Sequence, residues 1–69
     1  MSNLTSKQLE TLVFIKTYYD ATGTVPTLAT IGKKFGISAQ AAFYRFRGLV
    51  TRGYVKTEPN IKQGYEVIK

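Results

Sequence analysis

Neither cysteine nor histidine occurs in this chain of 69 residues, and the two absences remove much chemistry at once. Without cysteine there is no disulfide and no thiolate metal ligand. Without histidine the usual zinc ligand and the usual general base near neutral pH are gone. Paired carboxylates and a Gly-rich phosphate loop are missing as well, so the residues do not support an enzyme, and neither a metal nor a cofactor is expected. The apolar runs are only a few residues long, far short of a membrane-crossing helix. The opening "MSNLTSKQ" lacks the basic start and apolar stretch of a signal peptide. Together these shortages predict a reduced, intracellular setting with no membrane partner.

Acid is also scarce, and unevenly so. Ten Lys/Arg face four Asp/Glu, a formal net charge of +6. The acids are Glu10, Asp20, Glu58 and Glu66, so the stretch between Asp20 and Glu58 carries none, while Lys33, Lys34, Arg45, Arg47, Arg52 and Lys56 all fall within it. A one-signed field of this kind attracts a polyanion, and nucleic acid is the obvious one. For any single lysine, plain solvation is the better explanation.

What is present builds one small core. The length predicts a single domain over 1–69 near the lower limit for a self-sufficient hydrophobic interior, and the apolar fraction, 43%, predicts a folded chain. "LTSKQLE" opens a helix: Thr5 as the N-cap, Gln8 completing a capping box, and Leu4 stapled against Leu9. Leu9, Leu12, Ile15 and Tyr19 then recur on one helical face. Val13 and Phe14 lie off that stripe, either within a broad buried face or as a second contact surface. Gly23 and Pro26 end the helix. Thr27 caps a second helix, "LATIGKKF", with Leu28, Ile31 and Phe35 on its apolar side. Gly36 closes it, Ile37 plugs the turn, and Ser38 caps a third helix from about Ala39 to Arg52, closing at Gly53. Small Gly32 fits the closest approach of the two helices. A short helix, a tight glycine turn and a new helix outline a helix-turn-helix.

After Gly53 the period changes. "YVKTE" and "YEVIK" alternate around "PNIKQG", which predicts a two-stranded hairpin. Tyr54, Val55, Tyr65, Val67 and Ile68 are expected to lay one face on the helical core, because an isolated two-stranded ribbon is marginal. The fold class is therefore mainly α with a small β-hairpin, a three-helix winged helix-turn-helix.

The third helix, within "SAQAAFYRFRGLVTRG", mixes aromatic residues with arginines. On a helical wheel Ala42, Phe46, Leu49 and Val50 gather on one side, with Phe43 at their edge. Gln40, Ala41, Tyr44, Arg47 and Thr51 fall opposite, with Arg45 on the other flank. An α-helix fits the DNA major groove, and its first residues reach the base edges. Gln40 can pair two-pronged with adenine, Ala41 can meet a thymine methyl, and Tyr44 can reach a base or a phosphate. Arg45 and Arg47 can read guanine or hold phosphates. Ser38 is either a cap alone or a cap that also donates to phosphate. Thr27, Lys33, Lys34, Arg47 and Arg52 are the backbone candidates, and Lys62 and Gln63 those of the wing tip.

In order and spacing, "LTSKQ", "TGTVPT", "TIGKKFGIS", "QAAFYRFRGLVTRGYV" and the terminal hairpin resemble the N-terminal DNA-binding domain of the LexA repressors. The resemblance covers essentially the whole chain, with about one residue fewer at the turn before Ser38. It implies a sequence-specific repressor bound to double-stranded DNA, two copies on a dyad-symmetric operator, in the cytoplasm at the nucleoid. It also implies that Ser38, Gln40, Ala41, Phe43 and Tyr44 form the base-reading stretch, joined here by Arg45. The family's acidic pair at this stretch is replaced by Phe43 and Tyr44, so its operator does not carry over. Full-length relatives continue into a domain that dimerises and cleaves itself with serine and lysine. The chain is thus expected to be an excised domain or a stand-alone regulator from a phage or mobile element. The alternative function is a protein-interaction module that binds transcription machinery, with Phe43, Tyr44, Val13 and Phe14 as contacts.

Overall fold

The computed structural model describes residues 4–57 and 64–68. Among them the order is α1 (Ser6–Thr22), α2 (Leu28–Phe35), α3 (Ala39–Thr51), β1 (Val55–Lys56) and β2 (Glu66–Val67). The strands pair antiparallel, with Val55 opposite Val67 and Lys56 opposite Glu66. This is the winged helix-turn-helix the sequence predicts. The paired ladder is shorter than the two alternating runs, and the expected wing tip, with Lys62 and Gln63, lies outside the described residues.

Each helix begins where a side chain can satisfy its orphan amides. Thr5 accepts from the Gln8 amide while the Gln8 side chain accepts from the Thr5 N–H, both at 3.1 Å, which completes the capping box. Thr27 accepts from the Thr30 N–H at 3.1 Å, and Ser38 from the Ala41 N–H at 3.1 Å. Between α2 and α3 the chain reverses at Gly36, whose φ of 68° lies in the left-handed region that penalises a Cβ. The Gly36 and Ile37 amides both return to the Gly32 carbonyl. A Cβ on Gly32 would lie 2.7 Å from the Ile37 carbonyl oxygen and 3.3 Å from the Ser38 carbonyl. Only a glycine lets α2 come this close to the turn that launches α3.

The core consists of Leu12, Ile15, Ile31, Ala42, Phe46, Leu49, Val55 and Tyr65, all buried. It differs from expectation on α1. Leu9 and Tyr19 were expected inside, yet they are 49% and 47% exposed. The buried sector is turned toward Thr11, which is fully buried and donates its hydroxyl to the Lys7 carbonyl at 2.8 Å. That bond satisfies the hydroxyl within its own helix, so burial leaves no unpaired polar group. The same rotation lays Gln8 against Gly48 of α3, where any Cβ would run into the Gln8 side-chain amide. Phe14 does pack inward, edge-on to Tyr18 and to Phe35 with ring centroids 5.8 Å apart in each case, whereas Val13 is 54% exposed. Leu9, Val13, Phe14 and Phe35 thus line an open apolar groove between α1 and α2, rimmed by Glu10 and Lys34.

The hairpin is pinned from one face. Val55 and Tyr65 are buried, and Tyr54 and Val67 pack on the core at its edge. Ile68, expected with them, is 52% exposed. Side chains alternate along a strand, so Val67 and Ile68 cannot share a face. The Tyr65 ring lies edge-on to Phe46, centroids 4.6 Å apart, and its hydroxyl donates to the Pro26 carbonyl at 2.5 Å. One side chain therefore ties the hairpin both to α3 and to the loop between α1 and α2. Burial, reinforced by Tyr18, pushes the Tyr65 phenol well above its ordinary range.

Candidate nucleic-acid interface

The inward stripe of α3, Ala42, Phe46 and Leu49, is buried, and Val50 is half-buried beside it. This seating turns Gln40, Tyr44, Arg47 and Thr51 outward, and all four are exposed. Phe43 is 41% and Tyr44 59% exposed. Ala41 is half-buried on one flank of the outward stripe, and Phe43 lies on the other.

Two contacts organise the outward face. The Gln40 Nε2 donates to the Tyr44 hydroxyl at 3.3 Å, one helical turn away. The Phe43 and Tyr44 rings lie 6.0 Å apart, tilted by 52°. Ser38 is exposed at the start of the helix with its oxygen engaged as the cap. The expected phosphate contacts among the described residues are exposed as well. Thr27 is exposed at the head of α2, Lys33 and Lys34 are exposed in its last turn, and Arg47 and Arg52 are exposed on and just after α3. Lys34 also reaches over the Phe14 ring, 5.8 Å from its centroid.

Arg45 is placed apart from the other expected base readers. It is half-buried, its guanidinium carbon 4.9 Å over the Phe35 ring, with Nη1 donating to the Thr11 hydroxyl at 3.5 Å. It joins α3 to α1 and α2 at once, a stacking arrangement that suits a planar guanidinium. Its position on the flank of the wheel was the only hint of this; the partners come from residues distant in sequence. The Gln8–Gly48 approach and the Tyr65 latch had no local signal at all.

No acidic residue lies on α2 or α3, since none occurs between Asp20 and Glu58. Of the described acids, Glu66 faces Lys56 across the hairpin at 3.9 Å. The charged side chains of α2 and α3 are thus all basic. No group of three or more His, Cys, Asp or Glu that could hold a metal ion occurs among the described residues, and none of their helices is long and apolar enough to cross a membrane.

Known proteins align with this chain across its whole length. It is 36% identical over all 69 residues to a LexA repressor of Leptospira interrogans serogroup Icterohaemorrhagiae serovar copenhageni, of which it covers 34%. It is 33% identical over the same span to a LexA repressor of Leptospira biflexa serovar Patoc, again covering 34%. With a LexA repressor of Cellvibrio japonicus the identity is 38% over 65 residues, 93% of this chain and 32% of the relative. The chain thus spans about a third of the length of these relatives. The sequence family described as the LexA DNA binding domain matches residues 1–64. With a helix-turn-helix in place, an outward basic helix and this match over nearly its full length, the chain belongs to the LexA DNA-binding domain family.

Proposed function

We propose that this protein is a sequence-specific transcriptional regulator, a repressor that occludes a promoter by laying α3 in the major groove of double-stranded DNA. The observation that carries the reading is the outward face of α3: Gln40, Tyr44, Arg47 and Thr51 are exposed on a helix whose other side is locked into the core. Family membership supports the same reading. Ser38, Gln40, Ala41, Phe43 and Tyr44 form the base-facing stretch. Arg45, expected there from the sequence, sits against Phe35 and Thr11, which suits positioning α3 better than reading a base. Thr27, Lys33, Lys34, Arg47 and Arg52, together with Lys62 and Gln63, hold phosphates. The protein works in the cytoplasm at the nucleoid. Two copies sit on a dyad-symmetric operator, because one module this small makes few contacts and a pair roughly doubles them.

Selection of bound duplexes from a randomised DNA library at near-physiological salt tests this. The expected result is an enriched motif, arranged as an inverted repeat and lost in a Gln40→Ala, Tyr44→Ala double variant that remains folded. No enrichment by the folded wild-type chain would sink the reading. The apolar groove of α1 and α2 would then be the surface to test against transcription-machinery proteins.

A further inference from the structure

The base-reading stretch of α3 is chemically one-sided. Each base pair presents its own pattern in the major groove: adenine a donor and an acceptor, thymine an acceptor and a methyl group, guanine two acceptors, cytosine a donor. The side chain that pairs most typically with cytosine's amino group is a carboxylate, and α3 has none. A helix that reads guanine near its start offers a guanidinium. Here the nearest one, Arg45, is stacked on Phe35 and bonded to Thr11, while Arg47 lies about one turn beyond Tyr44 and two beyond Gln40. What remains is an amide, a phenol, a benzyl group, a methyl group and the hydroxyl of Ser38, whose oxygen already accepts from the Ala41 N–H.

The amide is also held. The Gln40 Nε2 donates to the Tyr44 hydroxyl, 3.3 Å away. That bond uses one of its two N–H donors and leaves one N–H and the Oε1 for a base. A donor and an acceptor presented together on one edge complement adenine N7 and N6. Against guanine the same edge would set Oε1 opposite O6, two acceptors facing each other. Tyr44 keeps its own O–H to donate to an acceptor such as thymine O4. On the flanks, Phe43, 41% exposed, and Ala41 offer apolar surface that a thymine methyl can bury and cytosine cannot.

Taking the DNA-reading function proposed above as its basis, we infer that α3 selects A·T pairs: Tyr44 orients the Gln40 amide on an adenine, and Phe43 and Ala41 bury thymine methyl groups. Tyr44 is thus a positioning residue as well as a contact. Its phenol sharpens discrimination at the position Gln40 touches.

The test measures affinity of the full chain for its selected duplex and for chemically edited versions. In one version 7-deazaadenine removes N7 at single adenines; in another deoxyuridine removes the methyl from single thymines. Wild-type protein is expected to lose about ten-fold at one 7-deazaadenine, the lower range for a two-pronged contact, and roughly four-fold at a deoxyuridine, the worth of one buried methyl. Gln40→Ala should be indifferent to the first edit, and Phe43→Ala to the second at the thymine that Phe43 covers while still responding at the one beneath Ala41. Tyr44→Phe keeps the ring and removes only the hydroxyl. It should shrink the 7-deazaadenine effect in the presence of Gln40 and do nothing to it in the Gln40→Ala background, a coupling that a purely structural role would not produce. A selected motif with G·C pairs under the start of α3, or edits that leave affinity unchanged, overturns this inference while leaving sequence-specific binding intact. Absence of any motif overturns both.

Discussion

Tyr65 concentrates several functions in one side chain. Its ring packs on Phe46 and its hydroxyl holds the Pro26 carbonyl, so Tyr65→Phe leaves the packing and deletes one buried hydrogen bond. A loss of about 1 kcal/mol in urea unfolding is expected. The pH dependence follows from the raised phenol. Stability from this group is complete below the unfolded-state value near pH ~10 and is lost as the pH rises further, because the unfolded chain releases the proton first. The wild type should therefore lose stability above that pH more steeply than Tyr65→Phe, as paired melts across the alkaline range would show. Arg45 allows a second test at this scale. Replacing it with alanine removes the guanidinium stacked on Phe35 and should cost roughly 0.5–1 kcal/mol, the worth of a partly exposed cation–π contact. The selected DNA motif should stay the same, and a shifted motif would show that Arg45 reads a base after all.

At the scale of elements, the decisive joint is the turn from α2 to α3. Gly32→Ala would push a methyl group to 2.7 Å from the Ile37 carbonyl, backbone that cannot rotate aside. Overpacking of this kind costs about 1–3 kcal/mol. Because the strain lies where α3 is launched, DNA affinity should fall even at temperatures where circular dichroism shows the variant fully folded. An affinity that tracks only the folded fraction would mean the turn does not set the angle of α3. The α1 surface behaves oppositely. Leu9 and Val13 are half exposed, so Leu9→Ser with Val13→Ser should change stability far less than truncating Leu12 or Ile15, whose buried side chains cost about 2–5 kcal/mol each when reduced to alanine. Thermal melts of the paired variants compare them directly.

At the scale of the whole molecule, the net charge of +6 is expected to govern the proposed encounter with DNA. Displaced counterions should supply a large part of the affinity, and the logarithm of the binding constant should fall linearly with the logarithm of salt concentration. Arg47→Ala and Arg52→Ala should each lower that slope by roughly 1 and weaken binding evenly across sequences. Gln40→Ala should leave the slope alone and blur the motif. The two classes of variant separate the residues that hold the duplex from those that read it.

Local chemistry determined much of this protein. Thr5 with Gln8, Thr27 and Ser38 announce three helix starts, Gly23, Gly36 and Gly53 their ends, because caps and left-handed turns depend on residues within a few positions. The outward stripe of α3 was legible too, since a helix has a fixed period. Long-range packing decided the rest. The wheel of α1 allows either Leu9 or Thr11 to flank Leu12 and Ile15 on the inward face. The docked helices bury Thr11, which meets Arg45 of α3, and leave Leu9 exposed. Likewise no local pattern could join Tyr65 to Pro26 or turn Arg45 away from its neighbours on α3, because each of those contacts exists only once the elements have docked.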